Sequence, residues 1–277
     1  MRLRSLLFVP GDRPERFEKA AASGADAVIL DLEDSVAPSA KAAAREAVAQ
    51  WLREPAAVTR FVRVNPLGTA GLEDDLAAAR GADGLMLPKA ERAEDVTTLT
   101  AAMGSHVVPV LPVATETPLA VFGLGGYRAV AGLLAGLTWG AEDLPAAIGA
   151  TTARKADGRY TAPYEMVRTL ALMGAHAAGV AAIETVYPSI KDISGLTAYA
   201  QRGARDGFTG MMAIHPAQVA AINAAFSPGA EALAEAERIV AAFAAHPGAG
   251  ALQLDGRMVD APHLKQALGL IARAAGR

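Results

Sequence analysis

Two acidic side chains are the first candidates for chemistry in this sequence. Glu116 lies in the segment Leu111–Leu119 and Asp143 in the segment Leu137–Leu144; in each, an apolar run ends in a carboxylate where a helix should begin. The two acids are 27 residues apart, about one strand–helix unit. If their strands are neighbours in a parallel sheet, both carboxylates lie at one edge and repel each other unless a proton or a cation neutralises them.

The chemistry expected of this pair is cation binding. Neither Glu116 nor Asp143 has a His or Cys companion nearby, so the ligands would all be oxygen atoms. Such a site suits a hard cation, Mg²⁺ or Mn²⁺, with water and substrate in the remaining positions. The alternative is that each acid simply favours the positive end of a helix dipole.

Arg63 is the next candidate, because it lies on one face of the strand-like segment Val58–Val64 near its end. A buried arginine is costly unless an anion accompanies it. That anion could be a substrate carboxylate or an enolate oxygen. It could equally be Asp31, Glu33 or Asp34 in a structural ion pair.

Basic residues follow the first apolar run. A turn at Gly11 opens a helix that carries Arg13, Arg16 and Lys19, an arrangement that suits a phosphate group. The alternative is a solvated basic helix end. Lys89 also ends a strand and could form a Schiff base, although such lysines more often pair with a carboxylate.

The elements that would position these residues recur along the chain. Eight short apolar runs are separated mostly by alanine-rich segments with helical periodicity. This order predicts an α/β fold, a (β/α)8 barrel with parallel strands and right-handed crossovers. An open doubly wound sheet is the alternative, weakened because no Gly-x-Gly-x-x-Gly follows the first strand. The predicted strands are Leu3–Val9, Ala27–Leu32, Val58–Val64, Gly84–Leu87, His106–Val113, Val130–Trp139, Ala181–Thr185 and Gly210–Ile214.

The polar residues that could act chemically stand mostly at the C-terminal ends of these strands, the edge where barrel enzymes keep their sites. Glu184 is among them, whereas Trp139 is interpreted as a packing residue. Residues 1–226 are predicted to form the barrel. Residues 227–277 are predicted to form a C-terminal helical extension, a lid or an arm that reaches a neighbouring subunit, because about fifty residues is little for a separate core.

Composition excludes several classes of protein. The 277 residues include no cysteine, so disulfides and thiolate metal sites are excluded. A net charge of −3 gives no reason to expect nucleic acid or an anionic membrane as a partner. The N-terminal apolar run is too short for a signal peptide, and Ala129–Trp139 is too short to span a bilayer. A cytoplasmic protein is expected.

Taken in order, several segments resemble the citrate lyase β-subunit family of Mg²⁺-dependent CoA-ester lyases, within the HpcH/HpaI aldolase superfamily. The resemblance runs almost from end to end. The segments that carry it are Leu6–Gly11, Val28–Ser35, Val62–Asn65, Leu85–Lys89, Ala114–Thr117, Trp139–Leu144 and Ile214–Pro216.

This resemblance implies a (β/α)8 barrel, a homotrimer or hexamer, and Mg²⁺ or Mn²⁺ as cofactor with CoA as part of the substrate. Glu116 and Asp143 would hold the metal, with Glu116 counted as catalytic too, and Arg63 would hold the thioester oxygen and stabilise an enolate. Residues of two further segments would bind other parts of the substrate. They are Arg13, Arg16 and Lys19 for the CoA phosphates, and the backbone N–H groups of Gly140, Ala141 and Glu142 for the substrate carboxylate.

The segment Leu254–Pro262 resembles the C-terminal part of malyl-CoA and citramalyl-CoA lyases. By that resemblance, Asp260 would enter the site of the adjacent subunit and carry the substrate proton, and enclosure there should raise its pKa. The expected activity is cleavage of citramalyl-CoA or malyl-CoA to acetyl-CoA and pyruvate or glyoxylate. The alternatives are a citryl-acyl-carrier-protein lyase, a malyl-CoA thioesterase, a Schiff-base aldolase using Lys89, and a catalytically silent subunit that binds CoA esters.

Overall fold

The computed structural model describes residues 1–275 of the chain. Leu3–Asn223 form one compact unit. Its centre is a sheet of eight parallel strands. The strands are β1 (Ser5–Pro10), β2 (Ala27–Asp31), β3 (Thr59–Arg63), β4 (Gly84–Leu87), β5 (Val110–Pro112), β6 (Gly136–Thr138), β7 (Ala181–Glu184) and β8 (Gly210–Ala213).

The sheet closes into a barrel. Its strand order runs β5-β4-β3-β2-β1-β8-β7-β6. The two end strands meet through isolated parallel bridges, with hydrogen bonds from Ala114 N–H to the Thr138 carbonyl and from Ala135 N–H to the Val110 carbonyl. The predicted (β/α)8 barrel is therefore confirmed, and the open doubly wound alternative is wrong.

The barrel interior is filled by one alternating face of the strands. Because successive strand residues point to opposite sides, side chains two positions apart share the interior. Ile29 and Phe61 are fully buried partners in the β2–β3 register, and the pair two positions further along this face is Asp31 and Arg63. The apolar interior therefore ends in charged residues at the C-terminal edge.

Helices cover the strands. Ala44, Val48 and Leu52 recur at helical spacing in the second helix and are buried. In the part of the chain that the structure describes, no helix is both long and apolar enough to cross a bilayer, and the cytoplasmic location stays a prediction. The barrel helices are α1 (Phe17–Ala21), α2 (Lys41–Leu52), α3 (Leu72–Ala78), α4 (Ala93–Ala102), α5 (Pro118–Gly123), α6 (Leu144–Ile148), α7 (Ala162–Ala178), α8 (Ile193–Asp206) and α9 (Pro216–Ala225).

Two predicted strands are too long. In the predicted strand Val130–Trp139, only Gly136–Thr138 forms β6, and the preceding segment Leu124–Leu133 forms 3-10 turns. The reason is that the neighbouring strand β7 offers partners only to those three residues. In the same way, only Val110–Pro112 of the predicted strand His106–Val113 forms β5.

The second compact unit contains Met1–Arg2 and the residues from Ala224 onward. Helices α10 (Ala230–Ala245) and α11 (Ala261–Ala274) pack together, and the hairpin β9 (Ala251–Leu254) and β10 (Arg257–Asp260) separates them. Asp255 and Gly256 form its two-residue turn with positive φ values of 49° and 77°. The unit begins near the predicted boundary at residue 226. Its role as a lid or arm, and its dependence on the barrel for folding, stay predictions.

Candidate metal and CoA-ester site

The C-terminal edge of the barrel gathers the predicted charged residues. Arg63 ends β3, Lys89 follows β4, and Glu116 and Asp143 follow β5 and β6. Consecutive strands β2 to β5 are paired in that order, and β6 closes the barrel against β5. The two carboxylates therefore lie on adjacent strand ends, as their spacing predicts.

Glu116 is the buried member of the acidic pair. Its side chain is 5% exposed, and its Oε2 accepts the Lys89 backbone N–H at 2.5 Å. Burial, helped by the negative charges of Asp143 and Glu33, raises the pKa of Glu116 to about 8 against the opposing effect of that hydrogen bond. Gly140 lies so close that a Cβ there would be 2.7 Å from the Glu116 Cγ, so only glycine fits.

Lys89 supplies the cation of this edge. Its ammonium lies 2.6 Å from Glu33 Oε1, 3.6 Å from Asp34 and 3.7 Å from Asp143. Burial would lower the pKa of Lys89, but the carboxylates of Glu33, Asp143 and Glu116 raise it above its ordinary value. A lysine held as an ammonium is a poor Schiff-base nucleophile. The structure therefore favours the ion-pair interpretation of Lys89 over the aldolase alternative.

Arg63 forms the structural ion pair that the sequence left open. Its Nε and Nη2 donate to the two Asp31 carboxylate oxygens at 2.7 and 2.6 Å, and Nη1 lies 2.9 Å from Glu33. Burial alone would raise the pKa of Asp31, but the bonds from Arg63 lower it. A guanidinium has five N–H donors, so Asp31 leaves others for a ligand. Arg63 also lines a cavity of about 300 Å³ with Phe8 and Ile214.

The donor set fits a hard dication. The carboxylates of Glu33, Asp34 and Asp143 lie at ion-pair distance from the Lys89 ammonium, and Glu116 accepts the Lys89 backbone N–H. Glu33 also pairs with Arg63, so four carboxylates face two cations at this edge. Within residues 1–275, no group of three or more His, Cys, Asp or Glu residues is arranged to hold a metal. The protein would thus provide two carboxylate ligands, Glu116 and Asp143, and water and substrate would complete the shell.

The loop after β6 differs from the prediction at its first residue. Gly140 N–H, expected to face a substrate carboxylate, donates to Thr115 Oγ1 at 3.0 Å, because the Thr115 hydroxyl lies beside it on the neighbouring strand end. Ala141 is buried and Glu142 is exposed. Within the described residues neither of their N–H groups donates a hydrogen bond, so these two remain the candidate donors.

The predicted phosphate-binding residues separate into two kinds. Arg16 and Lys19 line a cavity of about 500 Å³. That cavity shares Phe8, Pro10 and Ile214 with the cavity at Arg63, so the two are adjacent. Arg13 is outside the lining of both, with its guanidinium 3.9 Å from Asp12 and more than half exposed.

Asp260 belongs to the second unit, where it ends β10 and is the N-cap of α11. Its Oδ1 lies 2.5 Å from His263 Nδ1, and its side chain is 33% exposed. The hydrogen bond to His263 lowers the pKa of Asp260. The predicted increase in its pKa refers to a carboxylate enclosed in the site of an adjacent subunit and stays a prediction.

Sequence reasoning missed a buried polar network behind the site. Glu184, at the end of β7, accepts Trp139 Nε1–H at 2.6 Å and the Tyr199 hydroxyl at 2.9 Å, and it pairs with Arg168 at 2.7 Å. Trp139 is thus more than the packing residue that the sequence indicated. Its partner was recognisable only as an acid at a strand end, because Trp139 and Glu184 are distant in the chain.

The fold and the charged strand ends define a (β/α)8-barrel protein with a candidate cation and ligand site at its C-terminal edge. The sequence pattern of HpcH/HpaI aldolase/citrate lyase matches residues 4–216. The chain belongs to the HpcH/HpaI aldolase/citrate lyase family, whose members include lyases acting on CoA esters.

Named relatives cover nearly the whole chain. A citrate lyase subunit beta-like protein of Mycobacterium tuberculosis is 40% identical, over 97% of this chain and 94% of its own. A (3S)-malyl-CoA thioesterase of Cereibacter sphaeroides is 33% identical (98% and 94%), and human mitochondrial citramalyl-CoA lyase is 32% identical (98% and 85%). The family thus includes both lyases and thioesterases.

A solved structure matches the fold. The crystal structure of CitE from M. tuberculosis in complex with magnesium, acetoacetate and coenzyme A has a TM-score of 0.84 and 38% identity, covering 99% of this chain and 98% of that one. This homologue therefore binds magnesium, the cofactor that the resemblance implied, and coenzyme A, which it implied as part of the substrate.

Proposed function

We propose that this protein is a Mg²⁺-dependent carbon–carbon lyase that cleaves citramalyl-CoA or malyl-CoA to acetyl-CoA and a 2-oxo acid. The observation that carries the proposal is the pair Glu116 and Asp143 on adjacent strand ends, within a group of four carboxylates that faces two cations. The homologue that binds magnesium and coenzyme A and the human citramalyl-CoA lyase support this choice.

Glu116 and Asp143 hold the metal in this proposal. A bound Mg²⁺ supplies Lewis acidity that lowers the pKa of the substrate hydroxyl and orients the bond to be broken. Glu116 must lose its proton to serve as a ligand, since its pKa in the metal-free site is about 8. Ala141 and Glu142 offer their backbone N–H groups to the substrate carboxylate.

Arg63 stabilises the charge that develops on the thioester oxygen when the carbon–carbon bond breaks. Asp31 orients the guanidinium through two bonds, which leaves it preorganised for the enolate oxygen. One such donor contributes about 3 kcal/mol to transition-state stabilisation. As the carbon–carbon bond breaks, the substrate hydroxyl loses its proton to solvent water and becomes the carbonyl of the 2-oxo acid, and the bonding electrons form the acetyl-CoA enolate. The enolate then takes a proton, which we assign to Asp260 from the extension of a neighbouring copy in a homotrimer or hexamer. Asp260 regains a proton from water.

The CoA part of the substrate follows the adjoining cavities. Arg16 and Lys19 bind phosphate groups in the larger cavity, and the pantetheine arm passes Phe8 and Ile214 toward Arg63. Arg13 has no place in this arrangement.

A thioesterase is the second candidate, favoured by the 33% identity to (3S)-malyl-CoA thioesterase. The same site would then direct water to the thioester carbonyl. The products separate the two activities, since hydrolysis releases free CoA and a hydroxy acid, whereas the lyase releases acetyl-CoA and a 2-oxo acid.

The deciding experiment incubates the purified protein with (S)-citramalyl-CoA and with malyl-CoA, each with Mg²⁺ and with EDTA. Acetyl-CoA, 2-oxo acid and free CoA are measured separately. Metal-dependent acetyl-CoA and oxo acid in equal amounts support the lyase, and the faster substrate identifies the acyl group. Free CoA without oxo acid would establish the thioesterase, and no product from either ester would contradict both.

A further inference from the structure

A buried carboxylate that the proposed reaction does not use lies behind the metal site. Glu184 is fully buried and accepts hydrogen bonds from Arg168, Trp139, Tyr199 and its neighbour's backbone N–H. Three of these donors converge on Oε1 alone. Because all of these donors bind the same buried carboxylate, each of them is held in one orientation.

One of the donors is continuous with the metal loop. Trp139 lies between β6 and Gly140, and the loop from Gly140 leads directly to Asp143. Thr115, the neighbour of Glu116, exchanges hydrogen bonds with the N–H and the carbonyl of Gly140. The loop is thus held at its start from two sides, by the indole and by the Thr115 hydroxyl.

Stability alone does not account for this arrangement. Burying the Arg168–Glu184 ion pair costs desolvation of both charges, and apolar residues of similar size often serve stability as well or better. Polar side chains behind metal ligands commonly orient them, and losing one lowers metal affinity about 10- to 100-fold.

We propose that Glu184 is a positioning residue, which holds the Trp139 indole and through it the loop that carries Asp143. The inference rests on the proposed metal site at Glu116 and Asp143. The Tyr199 hydroxyl donates to the same Glu184 oxygen, and the Tyr199 ring reaches Trp139 only through Tyr160, which packs against both rings. Tyr199→Phe keeps that ring and removes only the hydroxyl, which makes it a matched control.

The test compares Trp139→Phe, Thr115→Val and Tyr199→Phe with the wild type. Mg²⁺ affinity is measured by calorimetry, and hydrogen exchange of the Gly140 amide is measured in metal-free protein, with thermal unfolding as the check on folding. Trp139→Phe should weaken Mg²⁺ binding about tenfold and speed exchange, whereas Tyr199→Phe should change the affinity less than about twofold.

Thr115→Val preserves the side-chain shape, so it reports on the loop even if Trp139→Phe fails to fold. The positioning role would be overturned if Trp139→Phe and Tyr199→Phe had equal effects on Mg²⁺ affinity. It would also be overturned if neither Trp139→Phe nor Thr115→Val changed the affinity or the exchange rate. A wild type that binds no Mg²⁺ would contradict the proposed function, and the exchange rates would still decide whether the indole holds the loop.

Discussion

The backbone N–H of Lys89 donates to Glu116 Oε2 at 2.5 Å, while the ammonium of the same residue pairs with Glu33. Lys89 adopts a φ of 52°, a left-handed conformation that is uncommon for a residue with a side chain. One residue thereby links two carboxylates from different strands. The local strain is consistent with a residue held in place by the site.

Mg²⁺ affinity should depend on pH through Glu116. Below its pKa of about 8, a metal ion must displace the Glu116 proton, so affinity should fall about tenfold per pH unit as the pH decreases. Calorimetry from pH 6 to 9, in two buffers of different ionisation enthalpy, would detect the released proton. Glu116→Gln should bind at least about 100-fold more weakly, and a flat profile in the wild type would contradict this assignment.

The stability of the metal-free protein should also depend on pH through Glu116. Because the folded pKa is raised, the contribution is fully present below the unfolded pKa of 4.5 and is lost as pH rises through about 8. Thermal unfolding in EDTA should therefore show a lower Tm at pH 9 than at pH 6. The difference in Tm between pH 6 and pH 9 should be smaller for Glu116→Gln than for the wild type. An equal difference in both proteins would assign the pH dependence to other groups.

Arg63→Lys should reduce kcat about 100-fold while keeping the charge, because lysine cannot bind Asp31 with two parallel bonds and also reach the enolate oxygen. Steady-state kinetics on the preferred CoA ester would measure the loss. Arg60→Lys, at the opposite end of β3, is the matched control and should leave kcat unchanged. A similar loss in both variants would indicate general destabilisation.

Arg16→Ala and Lys19→Ala should each raise KM for the CoA ester about tenfold with little change in kcat, since each removes a charge that binds phosphate. Arg13→Ala should leave KM within about twofold, because Arg13 lines neither cavity. The assignment of the phosphate site to Arg16 and Lys19 fails if Arg13→Ala raises KM more than either of the other two substitutions.

Asp260→Asn should lower kcat at least about 100-fold and leave Mg²⁺ affinity unchanged. Asparagine is as good an N-cap as aspartate, so α11 should still begin at this position. Kinetics and calorimetry on the same preparation would separate the two effects. Unchanged turnover would remove Asp260 from the mechanism.

Spacing and residue type predicted the barrel and the edge on which its charged residues lie, because strands of one parallel sheet end together. The role of Arg63 could not be decided from the sequence, since an arginine on that face attracts an anion from either protein or substrate, and only the β2–β3 register brings Asp31 opposite it. The bond from Trp139 to Glu184 depends on barrel closure and leaves no local pattern. The Gly140 N–H was expected to bind the substrate carboxylate, but it donates to the neighbouring Thr115 hydroxyl instead.

The acidic pair lies at the junction where the barrel closes. Seven of the eight junctions between strands are continuous ladders, whereas β5 and β6 meet only through isolated bridges. Glu116 and Asp143 stand on either side of that junction. A cation bound by both carboxylates would therefore also tie together the two strands that lack a continuous ladder between them.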